Sequence, residues 1–333
     1  MSDYPTLKQN IFLNPGSNGT IYRRIFVVSA YGGITDSLLE HKKTGQPGIY
    51  AVFANAESDH NWEQLFNQLQ DTMLGINASF FAGNNQALSQ ANDFIDSRLS
   101  DARQVLTDLS KLCQHGHFSL SEHLQTVREM LASLGEIHSA YNTSLLLQQE
   151  GINAKFIDLS GWEAQKHLSL DEQIEQAFID IDIETEMPIV TGYCHTATGL
   201  MAQFDRGYSE MTFSRVAVIT GAKEAIIHKE FHLSSADPRL VGVENAVPIG
   251  RTNYDVTDQL ANLGMEAIHP KAAKGLVSPV QTFTNAVHSS LKRLYGCSCS
   301  RAIPFILSLT KGCNFFLKPR QCTHQWHLLS IDS

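Results

Sequence analysis

The sequence predicts an α/β protein whose mostly parallel sheet is covered by helices on both faces. Three observations carry that expectation. Arg24-Ile-Phe-Val-Val-Ser-Ala30 is an unbroken β-branched and aromatic run, the pattern of a strand buried on both faces. Long segments with apolar residues at helical spacing follow it. After Gly151, short β-branched runs alternate with further helical patterns.

In order along the chain, the strand Arg24–Ala30 runs into Tyr31-Gly-Gly-Ile-Thr-Asp36, and Ser37-Leu-Leu-Glu40 opens a helical pattern. Glu40 to Asp59 is rich in turn residues, including Lys-Thr-Gly-Gln-Pro-Gly, and reads as an excursion. Helices are expected over Trp62–Leu74, Ala87–Cys113 and Ser121–Gln149. In the third, Leu124, Val127, Met130, Leu131, Leu134, Ile137 and Leu145 keep helical spacing. Strands are expected at Ala154–Leu159, Pro188–Gly192 and Glu224–Phe231, with a helix over Ser209–Thr220. Val247–Gly250 is a short run, Tyr254–Leu263 a helix, and Met265–Lys274 follows it. Neither an internal repeat nor a low-complexity linker interrupts the chain.

At 333 residues the chain can form one large or two modest domains. A hydrophobic fraction of 43% with 18% charged residues excludes wholesale disorder. Net charge is −9, which argues against nucleic acid as a partner. The longest apolar stretches, Phe26–Ala30 and Ala302–Leu309, fall far short of the roughly 18 residues of a membrane span. Met1–Asn10 is polar and carries no secretory core. The expectation is a soluble, cytoplasmic protein without a nucleic-acid or membrane partner.

The charge is unevenly spread. Val277–Ser333 holds six Lys or Arg and a single acid, Asp332, for a net +5, while the preceding 276 residues carry 33 acids and 19 bases. At the body's acid density the tail would carry about seven acids. It also contains Cys297, Cys299, Cys313 and Cys322, four of the six cysteines. With His324 and His327 they could be offered as zinc ligands, but their spacing matches no common zinc pattern. The composition resembles translation in another reading frame, and a poorly ordered tail is expected.

Three clusters could carry chemistry. The turn Tyr31-Gly-Gly33 after a buried strand can present backbone N–H groups to an anion at the carboxyl end of a sheet. It can equally be an ordinary βα turn, since neither Gly-x-Gly-x-x-Gly nor the P-loop pattern is there. In Phe204-Asp-Arg-Gly-Tyr-Ser-Glu210, Ser209 is placed to cap a helix, and Arg206 can fork onto a carboxylate or belong to a surface turn. In Gly135-Glu-Ile-His-Ser-Ala140, Glu136 interrupts an apolar stripe and is either an exposed flank or a buried acid with a partner. Cys194-His195 reads as a strand-end pair, because no third group that would orient a dyad is identifiable.

The stretches Val27-Val-Ser-Ala-Tyr-Gly-Gly-Ile-Thr-Asp36, Gly135-Glu136, Asp205-Arg-Gly-Tyr-Ser-Glu210, Ser235-Ala-Asp-Pro-Arg239 and Gly264-Met-Glu-Ala-Ile-His-Pro270 occur in one order over some 270 residues. In this the chain from Met1 to about Leu276 resembles the aspartate kinases of the amino acid kinase family, in particular the form that accompanies ectoine biosynthesis. The resemblance implies a three-layer α/β/α sandwich of the carbamate kinase-like type. It also implies ATP-dependent phosphorylation of the β-carboxylate of L-aspartate, with ATP and Mg2+ as cofactors and no protein metal ligands. It sets Ser29 and Thr35 by the substrate and the transferring phosphoryl group, Glu136 on the aspartate amino group and Arg206 on its carboxylate. Gly32 and Gly33 bring backbone donors to the phosphate, Ser209 stands at a helix entrance, and Asp237 and Arg239 line the nucleotide pocket. Self-association into a homo-oligomer is compatible with it.

Departures from the pattern matter. The family's Lys-x-Gly-Gly-Thr-Ser strand would align before Met1 and its motif occurs nowhere in the chain, so 1–276 reads as a catalytic domain lacking its first strand. His228-Lys229 stands where Thr-Asp is usual, Ser234 where Tyr is usual, and Glu266 where Lys is usual. Past Leu276 neither a further sheet strand nor paired regulatory domains is expected. The alternatives are a related kinase for another carboxylate or a carbamate, and a catalytically impaired or non-catalytic ligand-binding member. One test follows from the sequence: Arg206→Lys should weaken aspartate use by roughly 2–5 kcal/mol, because an ammonium cannot reproduce a bidentate fork. Steady-state kinetics with varied L-aspartate checks it, and unchanged KM and kcat would refute the role.

Overall fold

The computed structural model describes residues 4–15, 19–55, 61–162, 168–204, 207–228, 236, 238–242, 244–247, 306–311, 317–318 and 327–328. Tyr4–Leu7 forms a short helix, α1, that runs into a wide helical turn over Lys8–Phe12, a region whose polar composition predicts no element. Phe12 is buried against Phe26, ring centroids 4.8 Å apart. Arg24 holds the turn by donating from Nη1 to the Ile11 carbonyl at 2.8 Å and from Nη2 to that of Phe12 at 2.5 Å. Burial lowers its guanidinium to about 10, so it stays charged at neutral pH.

Strand β1 (Arg24–Val28) is buried along its whole length, as its composition predicts. Helix α2 (Ile34–Leu38) begins three residues before the expected start at Ser37, directly behind Gly33 in the left-handed region at φ 84°. Helix α3 (Ile49–Ala54) lies inside the excursion read as turn-rich; its Ile49 and Phe53 are buried and supply the packing that local signals did not show. Helices α4 (Asn61–Phe80) and α5 (Asn85–Cys113) pair as a hairpin, with the Asn84 side chain accepting from Ala87 N at 3.1 Å as the cap of α5. Helix α6 (Leu124–Gln149) is buried almost all round from Leu131 to Ala140, because it packs against α5 as well as against the sheet.

Next come β2 (Ala154–Ile157) and α7 (Leu170–Ala177), which the sequence reading did not assign although Ser169-Leu-Asp-Glu172 carries a capping-box signature. Strand β3 (Met187–Thr191), α8 (Leu200–Phe204), α9 (Tyr208–Ile219), β4 (Ala222–Ile227) and α10 (Pro238–Val241) follow. A fork from Arg215 Nε and Nη2 to the two oxygens of Asp171, at 2.7 and 2.8 Å, joins α9 to α7. The expected elements at Val247–Gly250, Tyr254–Leu263 and Met265–Lys274 lie outside the described residues apart from Val247, as do the tail cysteines.

The sheet has the order β2-β3-β1-β5-β4, with β5 formed by Ile306–Lys311. β1, β2 and β3 are parallel, with Ile189 paired to Phe26 on one side and Phe156 on the other. β5 runs antiparallel to both neighbours, so β4 points the same way as β1. The expectation of no further sheet strand past Leu276 is corrected here: the alternating Ile-Leu-Ser-Leu-Thr run pairs its backbone with the edges of β1 and β4. Two short strands, β6 (Leu317–Lys318) and β7 (His327–Leu328), pair separately.

Alternate residues of β1 face different layers. Ile25 and Val27 belong to the large core with Phe213 and Val216 of α9. Phe26 and Val28 pack with Ala140 and Leu147 of α6 and with Leu7 and Phe12. The result is the three-layer α/β/α arrangement. No helix among the described residues is long and apolar enough to cross a membrane.

α6 reaches the end of β1 because Gly135 has no side chain. A Cβ there would stand 2.6 Å from Ala30 Cβ and 3.3 Å from Ile34 Cγ2. Gly135→Ala should therefore destabilise the protein by about 1–3 kcal/mol through overpacking, although alanine is the better helix former. Urea unfolding checks this, and a gain in stability would contradict the close approach.

Candidate active site

The carboxyl end of β1, the middle of α6 and the first turn of α9 converge on one point. In open α/β sheets this end of the strands is where ligands sit. Glu136, on α6, is only 2% exposed. Its Oε1 accepts hydrogen bonds from Tyr208 Oη at 3.0 Å and Ser209 Oγ at 3.2 Å. Its Oε2 has no hydrogen-bond partner among the described residues. Of the two readings left open by the sequence, the buried acid is the one realised.

Burial raises the Glu136 carboxyl to about 7, against the opposing pull of Tyr208, the Ala30 backbone and Ser209. An acid in this state, with one oxygen committed and the other open, gains most from a cationic donor.

Ser209 departs from its expected role. Gly207 stands at the N-cap of α9 without a side-chain cap, and Ser209 is already inside the helix. At the cap its hydroxyl would serve the helix's own amides; one position inside the first turn it is aimed at α6, where a buried carboxyl group needs donors. Its Oγ also lies 3.4 Å from Ser29 Oγ. Ser29 is half-buried just past β1, and its carbonyl accepts from Ser139 Oγ at 2.7 Å. The same hydroxyl lies 3.1 Å from the carbonyl of Glu136.

Gly32 and Gly33 form the exposed turn beside this cluster, closed by Ile34 N donating to the Tyr31 carbonyl at 3.1 Å. Thr35 follows, half-buried in the first turn of α2. Behind the turn, the Tyr31 ring packs edge-on against His138 at 5.3 Å. His138 Nε2 lies 2.7 Å from Asn77 Oδ1, to which Asn142 Nδ2 also donates at 2.7 Å. Burial drops His138 to about 3, so this floor is neutral and rigid rather than a titrating group.

The structure therefore brings Ser29, Glu136 and Ser209 into one cluster, with Gly32, Gly33 and Thr35 alongside. Arg206 and Asp237 lie outside the described residues; Arg239 lies on α10, but its side chain is outside them. Tyr208 and Ser139 stand within the sequence motifs, which assign them no role. For Ser139 the signal was its spacing three residues after Glu136 on one helix face; for Tyr208 there was none. Cys194 is buried and its thiol is pushed up by desolvation, which suits a structural residue rather than a nucleophile.

The model of the amino acid kinase family matches residues 11–280. Among similar proteins, an aspartate kinase, Ask_Ect, of Stutzerimonas stutzeri (strain A1501) is 55% identical over 276 residues, 83% of this chain and 58% of that protein. An aspartokinase of Schizosaccharomyces pombe is 29% identical over 168 residues, 45% of this chain and 31% of its own length. One from Geobacillus stearothermophilus is 31% identical over 157 residues, 44% of this chain and 37% of its own. The chain spans less than two thirds of the length of each. A crystal structure of E. coli aspartokinase III in complex with aspartate and ADP superposes with a TM-score of 0.53 at 16% identity, over 76% of this chain and 53% of that one, a match of fold.

The raised acid has a stability consequence with a definite sign. Between its ordinary value of 4.5 and about 7, the folded state holds a proton on Glu136 that the unfolded state has released. Stability therefore falls as pH rises through that window, by on the order of 3 kcal/mol for the ligand-free protein. Glu136→Gln should remove this slope, so the variant gains on the parent from pH 4.5 to 7. Urea midpoints across that range check it; parallel curves would contradict it.

Proposed function

Because this chain belongs to the amino acid kinase family, we propose that it transfers the γ-phosphoryl group of ATP to the β-carboxylate of L-aspartate, giving 4-phospho-L-aspartate. One observation carries the reading: a buried glutamate at the strand ends whose second oxygen is open. A substrate ammonium is the group that such an oxygen accepts best. The names of the similar proteins supply the substrate's identity.

In this reading Glu136 Oε2 takes the aspartate ammonium and Arg206 forks onto its carboxylate. Ser29, whose hydroxyl meets Ser209, lies with Thr35 between the substrate and the transferring group. The exposed backbone of Gly32 and Gly33 faces the phosphates, and Asp237 and Arg239 belong to the nucleotide side. A β-carboxylate oxygen attacks the γ-phosphorus in line, the bond to the bridging oxygen breaks, and ADP leaves with that electron pair. No protein nucleophile is required, since such transfer depends on positioning and charge neutralisation. Mg2+ bound with ATP would supply charge neutralisation at the phosphates. In this reading the ion is carried by the nucleotide.

The reading includes a cytoplasmic enzyme at the entry to aspartate-family amino acid and ectoine biosynthesis, acting without nucleic acid or membrane and compatible with a homo-oligomer. Its test is ADP release from ATP–Mg2+, dependent on L-aspartate and weak with succinate, which lacks the ammonium. Glu136 must be deprotonated to hold the substrate. The aspartate KM should therefore rise about tenfold per pH unit below 7 and level off above it. Glu136→Gln should flatten that profile and raise the KM by a factor equivalent to roughly 2–5 kcal/mol. ADP release indifferent to L-aspartate would overturn the assignment.

A further inference from the structure

Helix α6 carries a second buried acid two turns before Glu136, and its surroundings are of the opposite kind. Glu129 is 6% exposed and has both oxygens committed. Oε2 accepts from Tyr193 Oη at 2.7 Å and from Met201 N at 3.0 Å, and Oε1 accepts from Ala202 N at 2.9 Å. With three protein donors on one carboxyl group, Glu129 is a fastener rather than a ligand site. What it fastens is the start of α8. One turn earlier on the same face, Gln125 Nε2 donates to the Thr198 carbonyl at 3.3 Å.

The other side of the fastening is built for contact. Gly199 sits at φ 78°, and a Cβ there would stand 2.4 Å from Glu129 Oε1. Both the backbone conformation and the space require glycine. From Tyr193 the contacts continue toward the proposed substrate site. Its ring packs edge-on against Tyr208 at 5.6 Å, and Tyr208 Oη donates to Glu136. The two acids are thus joined through two buried tyrosines, and α8 leads directly into the segment that carries Tyr208 and Ser209.

We propose that Glu129 is a positioning residue of the substrate site: by pinning Tyr193 and the first turn of α8 to α6, it sets Tyr208 and Ser209 on Glu136 Oε1 and leaves Oε2 for the ligand. The proposal rests on the kinase reading for the ligand's identity, but not for the coupling itself. Without the fastening, Tyr208 and Ser209 drift from Glu136, and the acid loses the donors that orient it. The effect belongs to the acceptor substrate and not to the nucleotide.

The test compares the full chain with Glu129→Gln, which keeps the side chain's size but turns one acceptor into a donor facing other donors. Hydrogen exchange should accelerate over 196–204 and also over 208–214, with β1 and the body of α6 unchanged. Calorimetry should show L-aspartate binding weakened by about tenfold or more, as for a lost buried charge-assisted hydrogen bond. Binding of ATP–Mg2+ should stay within about twofold, since only the acceptor side is loosened. Gly199→Ala, which presses the fastening open while leaving the carboxyl group, should give the same pattern and serves if Glu129→Gln does not fold. Exchange over 208–214 as slow as in the parent, or acceleration spread over the whole molecule, overturns the proposal. If the parent takes up no L-aspartate, the substrate reading falls, while the exchange comparison still decides the role of Glu129.

Discussion

Burying a carboxyl group is unfavourable unless protein or ligand groups answer it, and in this fold the burial is forced by backbone geometry. Gly135 lets α6 close onto Ala30 at the end of β1, and the next residue along the helix is Glu136. Its position is therefore set by helix-to-strand contact, not by any preference of its own. The surrounding residues respond to that one placement. α9 begins at Tyr208 so that a phenol and a serine hydroxyl reach one oxygen, and Ser139 ties the Ser29 carbonyl to the same helix turn. Desolvation still outweighs these donors, which is why the acid sits near neutrality and why a cation would be welcome on the second oxygen.

The same helix shows how two residues of one chemistry acquire different work. Glu129 and Glu136 lie on one face of α6, both buried and both bonded to a tyrosine hydroxyl. Glu129 meets two backbone N–H groups as well, at the start of α8, and is saturated. Glu136 meets the side-chain hydroxyls of Tyr208 and Ser209 at the start of α9 and keeps an oxygen open. Environment, not residue type, separates the saturated acid from the one with an open oxygen.

Around this point the architecture is rigid where it touches the site. β1 is buried on both faces, the Tyr31 turn rests on a neutral His138–Asn77–Asn142 floor, and Arg215 locks α9 to α7 through Asp171. Groups on such supports lose little conformational entropy when a substrate arrives, the condition under which positioning contributes to rate. The turn of Gly32 and Gly33 is the exposed part of the cluster, as a surface facing a phosphate would need to be.

Much of this was legible in the sequence, and the reason is local. β1 announced itself because a strand buried on both faces must be apolar at every position, and the long helices because their apolar spacing repeats over many turns. Gly32, Gly33, Glu136 and Ser209 could be picked out of contiguous motifs, and Ser29 and Thr35 followed from the family resemblance. What the sequence could not supply depended on contacts between segments far apart. Helix α3 owes its existence to the burial of Ile49 and Phe53, and the start of α9 to a glutamate 72 residues away from Tyr208. Whether Glu136 was an exposed flank or a buried acid was open in sequence, because an acid within an apolar stripe fits either case. Tertiary structure decided it: α6 is covered on both sides, so the face that would carry a solvated flank on an ordinary surface helix has no water to turn to.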